Sequence, residues 1–502
     1  MLNEFYGQFK SGTDIRGVAS EGVEGQPVNL TDEVVNNMAD GFVLWLSKKV
    51  EKKPNELKIS VGRDSRISGP HIMELACERF RLAGAKVISC GLASTPSMFM
   101  TTVELGMDGA LQITASHHPF NRNGLKFFTR SGGLEGSDIE AILTYAQNCE
   151  HPAQSDGGSV EEYDFMSDYS KLLRDKIKSE VNAEDYDHPL KGFKIVVDAG
   201  NGAGGFYADK VLSVLGADTT GSRYLDPDGM FPNHVPNPED ATAMASICEA
   251  VRENSADLGV IFDTDVDRGG AVDSKGNEIN RNRLVAAAAA IALEGNEGGT
   301  VVTDSITSGG LKEFIEKNLG GKHYRYRRGY KNVIDKALEL NAEGVNCPLA
   351  IETSGHAAMR ENYFLDDGAY LCTKIIIKAA QLRKAGKDLS DLTADLKEPL
   401  ESREIRFKIS EKDFRACGER IITDLTAYAE AQPDWQLADD NREGVRVSFN
   451  KENGDGWFLL RLSVHDPIMP LNIESDSEGG VDVIYAKLAE FLKTTKGLEI
   501  NS

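Results

Sequence analysis

One pattern recurs three times along the 502 residues and limits the folds open to the chain. Leu57-Lys58-Ile59-Ser60-Val61 runs into the polar turn Gly62-Arg63-Asp64, then a helical stretch from Gly69 to Ala83, then Gly84-Ala85-Lys86-Val87-Ile88. Phe193-Lys194-Ile195-Val196-Val197-Asp198 leads to a glycine loop, a helix near Tyr207–Leu215, and Gly216-Ala217-Asp218. Thr300-Val301-Val302-Thr303-Asp304 leads to Ser308-Gly309-Gly310, a helix to Lys317, and Gly320-Gly321-Lys322. Short apolar strand, small-residue loop, helix and Gly-led return make the repeating unit of α/β folds. Three copies predict three related α/β domains in tandem, alike in pattern more than in residue identity. The C-terminal hundred residues differ. Segments 405–409, 444–449 and 457–463 read as strands, with helices near 411–430 and 481–493, which predicts a smaller α+β domain.

The expected boundaries are 1–175, 176–278, 279–397 and 398–502. Segment 151–160 is a composition-biased loop, and a helix from about 161 to 178 bridges to the second domain. Lys397-Glu398-Pro399 is the linker to the fourth. A further helix spans Asp32 to Val50, capped by Thr31 or Asp32.

Four stretches carry chemistry. In Ile113-Thr114-Ala115-Ser116-His117-His118-Pro119-Phe120-Asn121-Arg122-Asn123-Gly124-Leu125-Lys126, apolar runs on both sides predict two strands. Ser116 then sits at the tip of the loop between them, with Lys126 following an Asn-Gly turn. In Phe262-Asp263-Thr264-Asp265-Val266-Asp267-Arg268-Gly269 a buried strand empties into three aspartates at alternate positions. Carboxylates so close repel unless a cation lies between them, and oxygen ligation suits Mg²⁺ or Ca²⁺. A calcium EF-hand is excluded by Arg268 at its glycine position and Ser274 at its terminal glutamate position. Arg268 instead suits a phosphoryl group bound to the metal. Glu352-Thr353-Ser354-Gly355-His356 offers an acceptor and a donor two residues apart for neighbouring sugar hydroxyls. Arg461, Ser463 and His465 in Arg461-Leu462-Ser463-Val464-His465-Asp466-Pro467 can clamp a phosphate dianion. Taken alone, each stretch also reads as an ordinary polar turn. Gly200-Asn201-Gly202-Ala203-Gly204-Gly205 matches the dinucleotide pattern G-x-G-x-x-G after a strand, a weak signal alone, which a backbone turn joining strand to helix explains without a nucleotide.

Composition narrows the partners. Lys and Arg number 56 against 79 Asp and Glu, a net charge of −23, which argues against a broad nucleic-acid or anionic-membrane surface. An anionic substrate would need positive charge concentrated in its site. The seven cysteines are scattered and form no CxxC pair, so reduced core thiols are expected. No apolar run is long enough to span a bilayer, and a cytoplasmic location is expected.

Together and in this order, the four stretches resemble those of the α-D-phosphohexomutases, the phosphoglucomutase/phosphomannomutase superfamily. Thr114 to Pro119 is similar to the phosphoserine loop T-A-S-H-N-P, and Asp263 to Arg268 to the metal loop D-G-D-x-D-R. Glu352 to His356 is similar to the sugar loop E-x-S-G-H, and Arg461 to Pro467 more loosely to the phosphate loop R-x-S-x-T-E-P. The resemblance implies four domains meeting at a central cleft, with one motif from each. It implies that Ser116 carries a phosphoryl group and that one Mg²⁺ per chain is held by Asp263, Asp265, Asp267 and Ser116. Arg16 and Arg268 then neutralise phosphoryl oxygens, and Lys126 carries protons with His117 as helper. Glu352 and Ser354 hold sugar hydroxyls, while Arg461 and Ser463 hold the phosphate that is not reacting. The implied reaction interconverts hexose 1-phosphate and hexose 6-phosphate through a 1,6-bisphosphate, which also serves as activator. The implied partners are small hexose phosphates, with neither nucleic acid nor membrane involved, and the oligomeric state is left open.

The chain departs from the family pattern in places. His118 replaces Asn, Thr264 and Val266 replace small residues, and Arg328-Gly329-Tyr330-Lys331 stands where T-G-H is usual, which brings Arg327 or Lys331 to the substrate. Val464, His465 and Asp466 replace a small residue, Thr and Glu in the fourth loop, with His465 left as a phosphate donor. Glu352 implies glucose or mannose phosphates, since Gln accompanies glucosamine phosphate. The altered fourth loop also supports a second reading, a catalytically altered relative that binds sugar phosphates or serves in regulation.

Overall fold

The computed structural model describes residues 2–463 and 466–500, so His465 and Val464 lie outside the described residues. The chain forms two compact units. One comprises 1–280, 354–358 and 365–392; the other comprises 281–353, 359–364 and 393–502.

The first unit opens with a mixed eight-stranded sheet. Its parallel centre is Gly109–Ile113, Lys58–Arg63 and Lys86–Leu92. Arg122–Thr129 runs antiparallel to Gly109–Ile113, and Asp14–Val18 runs antiparallel to Arg122–Thr129. Alternation along Lys58–Arg63 sorts its side chains between the two faces. Ile59 and Val61 join a core with Phe42, Leu46, Phe80 and Ile142 from the helices Asp32–Lys49, Gly69–Leu82 and Gly136–Gln147. On the other face Ser60 bonds Thr101, and Gly62 leaves room for Met98 of the helix Thr95–Glu104.

The second sheet pairs Ile195–Asp198 in parallel with Leu258–Phe262, which then turns back antiparallel into Gly269–Val272. The helix expected over 161–178 occupies Phe165–Val181. The residues before it, Ser159–Glu162, are an edge strand on Lys86–Leu92 instead, and the Asp164 side chain caps the helix at Ser167 N.

The second unit contains the parallel strands Lys322–Arg325, Thr300–Thr303 and Leu349–Ile351. Its last hundred residues form an antiparallel sheet of Val445–Phe449, Gly456–Leu460, Ile468–Ser475 and Glu401–Ile409. Phe407, Val447, Phe458 and Leu471 of that sheet pack on Ile421 and Leu425 of helix Phe414–Glu430 and on Ile484 and Leu488 of helix Gly480–Leu492.

The repeated units share more than their order. Asp64, Asp198 and Asp304 stand at the ends of corresponding strands, all fully buried. Asp64 accepts from Arg66 N and Asp198 from Gly200 N in the loops beyond their own strands, while Asp304 accepts from Thr353 Oγ1, which follows the strand Leu349–Ile351. The helices expected after the second and third small-residue loops are wound partly as π-helix, over Tyr207–Leu212 and Phe314–Asn318. A wider turn admits one extra residue without ending the helix, which hydrophobic spacing cannot reveal.

Candidate active site

The loop that carries Ser116 is built around a residue from another element. The Arg66 guanidinium, fully buried, donates to four carbonyls of this loop. Nη1 reaches Pro119 O at 2.7 Å and Arg122 O at 2.9 Å, and Nη2 reaches His118 O at 2.6 Å and also Ser116 O. Asp64 lies 3.3 Å from Arg66 Nε and balances its charge. Within the loop Ser116 N donates to Thr114 Oγ1 at 2.8 Å, and Ser116 takes a left-handed φ of 51°. That conformation is uncommon for a residue with a side chain and persists only where surroundings impose it.

Sequence reading gave Arg63 and Asp64 only a polar turn and missed Arg66, although a charged Gly-Arg-Asp-Ser-Arg run at a strand end was a visible signal. Asn123-Gly124 is also not a turn. Both lie inside the strand Arg122–Thr129, opposite Gly17 and Arg16. A Cβ at Gly124 would stand 2.2 Å from Ile15 O, so glycine is there to let two backbones approach. Arg66→Met is expected to destabilise the protein by about 3–5 kcal/mol in urea titration, because Asp64 is left buried and uncompensated. Arg66→Lys keeps the charge but cannot reach all four carbonyls, so it should fold and lose turnover.

Leu258–Phe262 delivers Asp263, Asp265 and Asp267 to the same place. All three are buried, and each offers a carboxylate oxygen within 4.8 Å of the others. Burial and the neighbouring carboxylates push Asp263 well up and Asp265 up to about 6. Burial acts on Asp267 as well, but Lys126, His356 and Arg268 outweigh it and hold that group below the ordinary carboxylate range. Lys126 Nζ lies 2.9 Å from Asp267 Oδ2. Asp265 Oδ1 and Asp267 Oδ1 are buried with no hydrogen-bond donor among the described residues, while Thr95 Oγ1 donates to the other oxygen of Asp265. An all-oxygen set with unsatisfied buried acceptors fits a hard divalent cation. Val266 holds a φ of 68° in this turn, with Gly368 N donating to its carbonyl at 3.1 Å. For a β-branched residue that backbone costs about 1–2 kcal/mol.

The glycine loop after Asp198 packs against this turn. Ala203 N donates to Thr264 O at 2.8 Å, and a Cβ on Gly202 would lie 2.6 Å from the same oxygen. The glycines thus admit the chain's own backbone, and the dinucleotide reading is set aside.

Ser116 Oγ stands 3.2 Å from Asp263 Oδ2 and 3.3 Å from His117 Nδ1. The Arg268 cation and burial hold His117 far below the usual imidazole range, and burial with Arg16 and other arginines takes His118 to about 3. Both rings are therefore neutral near pH 7. Arg16 donates to Ala115 O at 3.0 Å and pairs with Asp14, also at 3.0 Å. Arg268 N donates to Asp263 Oδ1 at 3.2 Å, and its Nε donates to His356 Nε2 at 2.9 Å. Sequence reading placed His356 in the sugar loop but assigned it no partner.

The chain leaves the second unit between Thr353 and Ser354. On the second-unit side, Glu352 accepts from Gly329 N at 2.6 Å, and Thr353 Oγ1 donates to Asp304 at 2.7 Å. Arg328 N donates to Glu443 at 3.2 Å, and Arg327 Nε donates to Arg442 O at 3.3 Å. Lys331 pairs with Asp335 one turn along its own helix. The strand before Arg461 ends at Leu460, so Arg461 begins the loop, buried; Ser463 Oγ accepts from Asp466 N at 3.3 Å. On the first-unit side Ser354 is buried, and Gly355 O accepts from Gly269 N at 3.2 Å.

Burial and the nearby Glu352 carboxylate raise Asp304 to about 7, against Arg328. A carboxyl protonated in the fold but ionised above pH 4 when unfolded removes stability as pH climbs from about 4 towards 7. Asp304→Asn keeps the acceptor for Thr353 and removes that titration. Between pH 5 and 8 the natural chain should lose about 2–3 kcal/mol of unfolding free energy more than the variant, read by urea titration at each pH.

Comparison with known proteins agrees with this arrangement. The chain matches Phosphoglucomutase/phosphomannomutase, alpha/beta/alpha domain I, over residues 8–151, domain II over 168–276 and domain III over 280–399. It is 28% identical to a phosphoglucomutase of Neisseria meningitidis over 97% of this chain and 96% of that one. It is 28% identical to a phosphomannomutase/phosphoglucomutase of Pseudomonas aeruginosa over 96% and 94%. The crystal structure of a phosphoglucomutase/phosphomannomutase family protein from Burkholderia thailandensis superposes with a TM-score of 0.80 at 25% identity, covering 99% of this chain and 98% of that one. The three tandem α/β domains, the sheet-rich C-terminal domain and these relatives lead to one conclusion: the chain belongs to the phosphoglucomutase/phosphomannomutase family, the α-D-phosphohexomutases, and is an isomerase of that type.

Proposed function

We propose that this enzyme interconverts the 1- and 6-phosphates of glucose or mannose in the cytoplasm, by way of a phosphoryl group carried on Ser116. The observation that carries the reading is the buried meeting of Ser116 Oγ with Asp263 at 3.2 Å, within a cluster of three aspartates. Asp263, Asp265, Asp267 and Ser116 are the residues that would hold Mg²⁺, which when bound supplies charge withdrawal from the phosphoryl oxygens.

The chain's own groups account for the rest. A sugar hydroxyl attacks phosphorus, its new O–P bond forms as the Ser116 Oγ–P bond breaks, and the proton it loses replaces one that the Lys126 ammonium passes on to Ser116 Oγ. Ser116 Oγ takes up a proton with neutral His117 beside it. Arg268 and Arg16 balance the oxygens that gather charge, as charge-assisted donors do in phosphoryl transfer. Reversal of the same steps at the other end of the 1,6-bisphosphate returns a phosphoryl group to Ser116. Glu352 and Ser354 hold hydroxyls presented in both orientations, and Arg461 and Ser463 hold the idle phosphate, with Arg327, Lys331 and His465 as further contacts. The acceptor carboxylate of Glu352 supports glucose or mannose over glucosamine.

Phosphorus NMR tests the reading directly. The protein with Mg²⁺ and a trace of glucose 1,6-bisphosphate is offered glucose, mannose or glucosamine 1-phosphate. A growing 6-phosphate signal is expected with glucose or mannose. Silence in every tube, from protein shown by mass to carry phosphate on Ser116, would favour a catalytically altered sugar-phosphate binder.

A further inference from the structure

Asp267 belongs to two clusters at once, the three aspartates and a second group with His356 and Asp366, all buried. The second group has the composition of a cation site, but its charges argue otherwise. Asp263, Asp265, Asp267 and Asp366 bring four negative charges, which Lys126, Arg268 and one divalent cation already balance. His356 is moreover committed on both nitrogens. Its Nε2 accepts from Arg268 Nε at 2.9 Å and must be unprotonated, so the ring proton resides on Nδ1. That nitrogen is in close contact with the Asp366 carboxylate, with Asp267 Oδ1 farther off at 3.9 Å. His356 itself is anchored through the backbone bridge it forms with Arg268.

We propose that Asp366 is a positioning residue for the phosphoryl-transfer site: by accepting the Nδ1 proton of His356 it fixes the tautomer whose Nε2 receives Arg268 Nε, and so orients the guanidinium beside Asp263 and Ser116. The 2.9 Å bond to His356 is shorter than the guanidinium's contacts with Asn237, Glu239 and Asp263. Nη1 reaches Asn237 at 3.4 Å and Glu239 at 3.7 Å, and Nε lies 3.8 Å from Asp263 Oδ2. The tautomer of His356 therefore decides whether the face of Arg268 turned to the first unit's histidine is met by a lone pair or by a second N–H. A relay of carboxylate, imidazole and working group is the arrangement by which outer residues tune a site they do not touch. The inference rests on the reading of Arg268 as a partner of the transferred phosphoryl group.

The test uses the full chain with Mg²⁺, labelled with ¹⁵N-histidine, as the natural protein and as Asp366→Ala and Asp366→Asn. Long-range proton–nitrogen spectra report which nitrogen of His356 carries the proton, with the signal assigned by its loss in His356→Gln. The natural chain should show the proton on Nδ1. Asp366→Ala should lose that preference and lower kcat about 10–100-fold, with KM within about twofold, since the affected contact acts on the transferring group. Asp366→Asn, which keeps an acceptor oxygen, should restore the tautomer and most of kcat. An unchanged tautomer in Asp366→Ala would overturn the relay, as would a changed tautomer with natural kcat. Asp366→Asn behaving like Asp366→Ala would overturn the role of the acceptor. Natural turnover in Arg268→Met would instead refute the assignment of Arg268, and the tautomer comparison would still decide the link from Asp366 to His356.

Discussion

Ser116→Ala should fold like the natural chain and lose turnover by about four powers of ten or more, because the phosphoryl relay on Ser116 is gone. The separation of the two effects follows from the geometry. The loop conformation is imposed by Arg66 on the carbonyls and by Thr114 on Ser116 N, none of which involves the serine hydroxyl. Alanine meets the same left-handed backbone with the same Cβ, and the hydroxyl's bond to Asp263 is long at 3.2 Å. A change of less than about 1 kcal/mol in unfolding free energy is therefore expected. Kinetics with a coupled 6-phosphate readout, beside a urea titration, measures both. Near-natural activity would remove Ser116 from the mechanism.

The second large effect belongs to Asp265. Asp265→Asn should cost about 10²–10³-fold in turnover, the scale on which removal of one preorganised electrostatic contact is felt. Its effect on the metal-free protein should have the opposite sign. Burial and Asp267 raise Asp265 to about 6, so in metal-free natural protein this carboxyl removes stability as pH rises from about 4 through about 6. Asparagine can still accept from Thr95 Oγ1 and carries no charge to bury. Metal-free Asp265→Asn should accordingly melt higher than the natural chain above pH 6. Added Mg²⁺ should reverse the ranking, because the natural chain gains about 2.7 kcal/mol at one hundred times its dissociation constant and the variant gains little. Calorimetry with and without chelator gives both signs. Equal metal responses would show that Asp265 is not a ligand.

What could be read in the sequence was local. Strand ends, the small-residue loops and the three α/β units follow from apolar spacing and punctuation by glycine, so their positions differ from the structure by a few residues at most. The four motifs are likewise continuous stretches. What escaped were the partners outside the four motifs, supplied across long separations. Arg66 lies 50 residues from the Ser116 carbonyl it holds, and Thr95 lies 170 residues from Asp265. Asp366 reads as half of an ordinary Asp-Asp-Gly helix start, and Asp367 does cap the helix Gly368–Lys384. Only the folded chain distinguishes the capping aspartate from its neighbour on His356. The Asn123-Gly124 dipeptide misled for the same reason: its glycine answers to a neighbouring strand, not to a turn.

The central claim is that Ser116 hands its phosphoryl group to the sugar and receives one back. It is tested by preparing the chain phosphorylated on Ser116, removing free bisphosphate, and adding one equivalent of glucose or mannose 1-phosphate with Mg²⁺. Intact mass and phosphorus NMR are then followed in a single turnover. Loss of phosphate mass from the protein, matched by the appearance of hexose 1,6-bisphosphate and then of the 6-phosphate as phosphate returns to the protein, is the predicted result. A 6-phosphate product formed while Ser116 keeps its original phosphate, followed by isotopic label, would contradict it.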